Sequence, residues 1–255
     1  MTSDIQYPDH FIERLHTVWG EGFLSPGGSD EVCEIVRGID LAGARVLDIG
    51  FGTAGPAIVL ARDLGAGKVV GVDVEEGLHR RATGLIEKLD LADKIDLHLV
   101  KPGPLPFEDA SFDVVFSKDS IIHIPDKAAL FGEVRRILKP GGVFVASDWL
   151  RGAGEQAEAA LKQMSSHLHF EYATAAEMES LLRNADFRDV RSVDRNAWYA
   201  SVVDDELRTL DGAYDDLVQK VGKDIVDPWF EVRRALAKAV KSGGLRPTHL
   251  HAIKP

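Results

Sequence analysis

The sequence predicts an α/β fold: a doubly wound, mostly parallel sheet of seven strands with helices on both faces. Three observations predict it. Between residues 44 and 150, apolar runs of strand length alternate with amphipathic runs of helix length. Those strand runs are continuously apolar, as strands covered on both faces require. Each ends on a small or polar group (Asp48 and Gly50, Asp73, Lys101, Asp119, Asp148), at the edge where such sheets collect ligands.

The elements follow in order. Residues 8–19 and 29–38 read as helices flanking the glycine-rich loop GEGFLSPGG. ARVLDIG is the first strand, and AGPAIVLARDLG a helix closed by Gly65. KVVGVDV is the second strand, and EEGLHRRATGLIEKLDL an amphipathic helix with acids at its positive end. KIDLHLV and SFDVVFSKD are the third and fourth strands. DKAALFGEVRRILKPGG is a helix stopped by Pro140 and two glycines, leading into a fifth strand, VFVASDWL. Beyond residue 150 the pattern loosens. Residues 155–166, 174–185, 203–221 and 228–241 read as helices, DVRSVDRN as a strand and THLHAIK as the last strand. One domain is expected: an N-terminal cap over 1–40, a ligand-binding core over 41–150, a helical lid region over 151–247 and a final strand over 248–255.

Composition narrows the function. The net charge of −11 disfavours nucleic acid, whose phosphates an acidic surface repels. A single cysteine excludes an internal disulfide, and Cys33, among Val32, Ile35 and Val36, reads as buried filler. The N-terminus lacks the basic and apolar regions of a signal peptide, and no apolar run reaches bilayer length. A soluble, cytoplasmic protein without a membrane partner is expected.

Chemistry concentrates in VLDIGFGTAG. Gly50, Gly52 and Gly55 give the G-x-G-x-x-G spacing of a loop whose backbone approaches a nucleotide. Asp73, at the end of the second strand, suits ribose hydroxyls in any adenosine ligand. Two features separate the ligand classes. Asp48 stands two residues before Gly50, where a pyrophosphate would be repelled and a cationic amino-acid end attracted. The chain also offers one five-strand unit and no second mononucleotide half, against a nicotinamide dehydrogenase.

With these features in order, the core resembles the class I S-adenosylmethionine-dependent methyltransferases of the Rossmann-like fold. VLDIGFGTAG, VVGVDV, PFEDASFDVVFSKDSIIHI and LKPGG before VFVASDW match their successive motifs over residues 44–150. The segment QYPDHFIERLHTVWGEGFLSPGG, with FSKDSIIHI, is most similar to the phosphoethanolamine N-methyltransferase family. That resemblance implies S-adenosylmethionine as cofactor, S-adenosylhomocysteine as product and a small-molecule acceptor. It implies an N-terminal segment folded over the cofactor, opened by Gln6 and Tyr7, with Ser25 meeting the methionine carboxylate and Leu24 beside it. It implies a Tyr7–His123 dyad closing the site and Asp119 holding the substrate amine. Asp48, Gly50, Phe51, Gly52, Asp73, Val74 and Lys118 complete the implied cofactor set, with Lys101 and Pro102 at the adenine.

The chain departs from the family in two places. Lys101 stands where the family places an acid, and a lysine has no acceptor for the adenine amine. The phosphate-gripping positions are filled here by Trp149, Met164, Leu168 and Phe170, which suit an apolar or aromatic acceptor. His167, His169, Arg151 and the arginines at 233 and 234 are the remaining polar groups there. The expected activity is therefore methyl transfer to a small amine or aromatic heterocycle, N-methylation favoured over C- or O-methylation. The alternatives are phosphobase methylation and non-catalytic binding of the cofactor. No metal is expected: the His167/His169 and His249/His251 pairs lack further ligands at metal spacing, and Asp119 with Asp126 is too small a set of acids.

Overall fold

A computed structural model describes residues 7–155, 157, 161 and 170–255. Seven strands form one sheet in the order β3-β2-β1-β4-β5-β7-β6. They are β1 (Arg45–Ile49), β2 (Lys68–Asp73), β3 (Ile95–Leu99), β4 (Phe112–Lys118), β5 (Leu138–Arg151), β6 (Arg188–Asp194) and β7 (Leu245–Ile253). The first five are parallel, while β7 runs antiparallel between β5 and β6. The chain reverses its winding between β1 and β4, so the carboxyl ends of those strands open a crevice at the switch point.

The helices are α1 (Asp9–Trp19), α2 (Gly28–Ile35), α3 (Gly55–Ile58, running on into a π turn over Val59–Asp63), α4 (Glu76–Lys88), α5 (Lys127–Ile137), α6 (Ala175–Asn184), α7 (Asn196–Val221) and α8 (Lys223–Lys241). Two apolar layers sandwich the sheet. Val46, Phe51, Val69, Ala82 and Phe116 pack on one face. Leu47, Val70, Phe131, Phe144 and Leu250 pack on the other. A third cluster, Phe11, Leu15, Leu210, Leu217, Trp229 and Phe230, joins α1 to α7 and α8 above the crevice.

Several boundaries move from the sequence reading. The helix before LKPGG ends at Ile137, and Leu138 is already extended (φ −67°, ψ 142°). α7 and α8 begin at Asn196 and Lys223, earlier than expected, and α8 carries Pro228 inside it. Burial of Val226, Trp229 and Phe230 holds that turn helical despite the missing N–H. β7 starts at Leu245, so Pro247 pairs with Trp149. Cys33 is exposed and fills no core, because α2 presents Val32 and Ile35 inward and turns the intervening position out. No helix among the described residues is long and apolar enough to cross a membrane.

Candidate active site

The glycine loop between β1 and α3 is shaped by close approach. Gly50 has φ 76°, and a Cβ there would lie 2.3 Å from the Ser120 hydroxyl oxygen, which itself donates to the Gly50 carbonyl at 3.1 Å. Gly55 donates its N–H to the Gly22 carbonyl at 2.8 Å, and a Cβ on it would come within 2.4 Å of that oxygen. The third glycine thus admits the N-terminal loop. Leu24 packs over Gly52, 3.1 Å from where its Cβ would be.

Asp73 ties this loop to the end of β2. One carboxylate oxygen accepts the Gly52 N–H at 3.0 Å, and the other accepts from Val74 (2.7 Å) and Glu75 (3.0 Å). The oxygen bonded to Gly52 keeps a lone pair for a further donor such as a hydroxyl. Val74 is exposed beside it, and the Val100 N–H, bonded to the Asp73 carbonyl, brings exposed Lys101 and Pro102 to the same edge. Phe51 is buried under the loop and packs on His79.

Asp48 is fully enclosed, and neither of its carboxylate oxygens has a partner among the described residues. Burial, reinforced by the negative charge of Asp73, pushes its pKa up to about 8. A buried acid without a donor is costly unless a ligand completes it. The arrangement fits a cationic group with nearby hydroxyls: charge for Asp48, acceptors on Asp73 and a glycine-lined floor.

On the other side of the loop the N-terminal segment meets the end of β4. The Lys118 ammonium is buried and donates to the Ser25 hydroxyl, the Pro26 carbonyl (2.9 Å) and Asp119 (3.1 Å). All three donors of the lysine are thereby used. Lys118 holds Ser25 and Asp119 in place instead of presenting its own charge to a ligand, while the Ser25 hydroxyl proton stays free to donate. Asp119 sits in the left-handed region (φ 57°), and its carboxylate also accepts from Ser147 at 2.9 Å. A non-glycine residue held there is backbone strain fixed by its surroundings.

His123 rides on a 3₁₀ turn, Ile121–His123, just after that strand. Its Nε2 lies 3.2 Å from the Tyr7 hydroxyl, and the two rings meet edge to face at 6.2 Å. Burial raises the Tyr7 pKa, and the charges of Asp73, Glu75 and Asp119 raise it further. The phenol therefore stays protonated, and of the pair only the imidazole is suited to take a proton. The turn is anchored from below, where the Ile122 N–H donates to Asp148 at 3.1 Å.

Tyr7, Leu24, Ser25, Asp119 and His123 lie on the wall of a cavity of about 660 Å³. Trp149 and Phe170 line it too, with Phe170 5.1 Å from the His123 ring. Met164, Leu168, Gln6, His167 and His169 fall outside the described residues.

The chain is similar to known methyltransferases. Residues 47–146 match the family described as a methyltransferase domain. Its core is a class I methyltransferase domain. Phosphoethanolamine N-methyltransferase 1 of Triticum aestivum is 31% identical over 249 residues, which are 94% of this chain and 49% of that protein. The chain thus spans about half the length of the curated relatives it matches. Phosphoethanolamine N-methyltransferase 2 of Haemonchus contortus, solved with phosphomonomethylethanolamine and S-adenosylhomocysteine, superposes with a TM-score of 0.90 at 25% identity, over 99% of this chain and 59% of that one. The cyclopropane synthase MmaA2 of Mycobacterium tuberculosis, at 16% identity, shares the fold (TM-score 0.80) over 98% of this chain and 97% of its own.

Around this methyltransferase core, the structure adds residues that carry no sequence signature. Tyr172 faces the cavity, its pKa pushed up to about 12 by burial and by Asp148. Trp19, Trp229, Arg14 and Arg233 line it from α1 and α8. Arg233 pairs with Glu206 at 3.0 Å while its Nε has no partner among the described residues, and Glu206 also accepts from Tyr199 (2.7 Å) and Trp19 (2.8 Å). Arg234 points outward to Asp211 and Glu231, and Arg151 pairs with Glu177. The histidine of β7 nearest the cleft, His249, is bonded to Glu31 at 2.6 Å. Asp126 caps α5 by accepting the Ala129 N–H. Among the described residues no group of three or more His, Cys, Asp or Glu could hold a metal.

Proposed function

We propose that this chain transfers a methyl group from S-adenosylmethionine to a small amine or aromatic heterocycle, N-methylation being favoured. The observation that carries the reading is the Tyr7–His123 contact on the wall of a cavity rich in aromatic side chains. Asp48, Asp73 and the glycine loop would hold the cofactor, with Ser25 at its carboxylate and Val74, Lys101 and Pro102 at its adenine. The cofactor supplies an electrophilic methyl on a sulfonium. Methyl transfer is a displacement that needs alignment and exclusion of water, which a closed N-terminal segment supplies. Asp119 would balance the charge of the amine, His123 would receive its proton, and the neutral Tyr7 hydroxyl would fix the imidazole.

The acceptor reading rests on the walls. Trp149, Phe170, Trp229, Ile225 and Leu236 give the cavity a largely hydrocarbon wall. A coupled assay of S-adenosylhomocysteine release across amines, indoles, phenols and phosphobases tests both parts. Turnover of aromatic or apolar amines at least tenfold above phosphoethanolamine is expected. Turnover of phosphoethanolamine at ordinary enzyme rates would sink the apolar-pocket argument. The homology to phosphoethanolamine N-methyltransferases favours that second reading, phosphobase methylation.

A further inference from the structure

We propose that Arg14 recognises an oxyanion on the methyl acceptor, at the end remote from its nucleophile; the inference rests on the methyl-transfer reading above. Arg14 lies in the middle of α1, only 5% exposed, and lines the cavity. Its Nε donates to the His10 carbonyl at 3.1 Å and one Nη to the Ile225 carbonyl at 3.3 Å. The guanidinium lies 5.4 Å from the centre of the Phe11 ring and 5.0 Å from that of Trp229. Those partners are all neutral.

The other buried cations are balanced differently. Lys118 and Arg233 each have a carboxylate within hydrogen-bond distance, at 3.1 and 3.0 Å. Lys127 feels the charges of Asp148 and Glu171. Arg14 has no carboxylate partner among the described residues, and burial alone lowers its pKa. A guanidinium taken out of water without a counter-charge is a standing cost to the fold. Three of its five N–H bonds have no acceptor among the described residues, and its planar fork matches a carboxylate, sulfonate or phosphate.

Position sets the length of the acceptor. Tyr7, just before α1, and Phe11 and Arg14 within it all line the cavity. The Phe11 ring centre lies 5.8 Å from that of Tyr7 and 5.4 Å from the Arg14 guanidinium. The Phe11 ring and the α8 residues Ile225 and Trp229 separate them. The acceptor inferred is therefore amphipathic: a nucleophile at Tyr7, His123 and Asp119, an apolar body, and an anion at Arg14. The two-carbon spacer of phosphoethanolamine is too short to join those ends.

The probe is a matched pair, 4-phenylbutyrate and 4-phenylbutyramide, titrated into protein saturated with S-adenosylhomocysteine. Tryptophan fluorescence is the readout, since Trp19 and Trp229 flank the site. The acid is expected to bind at least tenfold more tightly than the amide. Arg14→Met should abolish that preference and Arg14→Lys should keep part of it, with S-adenosylhomocysteine affinity unchanged in both. Equal binding of acid and amide, no binding of the acid at millimolar concentration, or a preference that survives Arg14→Met would overturn the proposal. The wild-type pair decides the matter even where a variant fails to fold. The preliminary titration separates the two readings: protein that fails to bind S-adenosylhomocysteine removes the methyl-transfer reading and this inference with it. Protein that binds it without discriminating acid from amide removes only the role of Arg14.

Discussion

The two walls of the cleft are built from different materials. The wall proposed for the cofactor is backbone: the turn at Gly50, the N–H groups of Gly52, Val74 and Glu75 on Asp73, and the Gly22 carbonyl on Gly55. The wall proposed for the acceptor is side chain: Trp149, Phe170, Trp229 and Arg14, carried by a strand, a loop and two helices distant in sequence. A backbone wall tolerates little change, because every residue that shapes it is fixed by a close contact. A side-chain wall can be refaced one residue at a time with the fold intact. On such a plan a fold can keep one ligand and exchange the other.

The largest effect is expected where the walls meet. Replacing His123 by alanine removes the proposed proton acceptor and should lower turnover by about 10²- to 10⁴-fold. Tyr7→Phe leaves the ring and removes only the hydroxyl that orients the imidazole, so a smaller loss, about tenfold, is expected. S-adenosylhomocysteine affinity, measured by calorimetry, should stay within about threefold for His123→Ala. A collapse of cofactor binding in that variant would place His123 on the cofactor wall and blur the division.

Next comes a direct contrast of the materials. Gly55→Ala forces a methyl to within 2.4 Å of the Gly22 carbonyl oxygen. Backbone cannot give way as a side chain does, and a destabilisation of about 2–4 kcal/mol is expected, read by urea unfolding. Trp149→Phe on the opposite wall keeps an aromatic ring in a partly open cavity and should cost under about 1.5 kcal/mol. Comparable losses in the two variants would show that the acceptor wall is as tightly constrained as the other.

The same contrast explains what could be read without coordinates. The succession of strands and helices, Asp48, Asp73 and the Tyr7–His123 pairing all lie in or beside local patterns: an apolar alternation, a glycine spacing, an acid at a strand end, a short segment like that of a known family. Chemistry there is tied to backbone geometry, and backbone geometry leaves a periodic trace. Arg14 leaves none. It reads as one more charge on an amphipathic helix, and only the packing of α1 against α7 and α8 buries it. Lys118 was legible as a charge beside the cofactor, but its three donors close on Ser25, Pro26 and Asp119. Pro228 misleads in the opposite way, since a proline favours a helix start and the buried Trp229 and Phe230 carry the helix through it.

Two buried acids, one on each side, give the finest test. Asp48 beneath the cofactor wall and Asp148 beneath the His123 turn are both pushed to about 8, chiefly by burial, each with a second carboxylate nearby. The sign is the same for stability. Between the ordinary aspartate value of 3.8 and about 8, the folded protein holds a proton that the unfolded chain has released. Stability of the ligand-free protein therefore falls as pH rises through that window and levels off above it. For cofactor affinity the two acids part. S-adenosylmethionine brings positive charge to Asp48, so its binding should expel a proton and tighten as pH rises. One linked proton corresponds to about tenfold per pH unit between roughly pH 6 and 8, then a plateau. Asp48→Asn should bind the cofactor more weakly, with a flat pH profile. Asp148 meets no ligand charge and already accepts from the Ile122 N–H, so Asp148→Asn should keep the wild-type profile for binding while losing its share of the stability slope. Calorimetric titrations at three pH values, with proton release measured in two buffers, read both. A flat binding profile in Asp148→Asn would mean that the cofactor's charge is felt across the strand ends, and that the two walls act electrostatically as one.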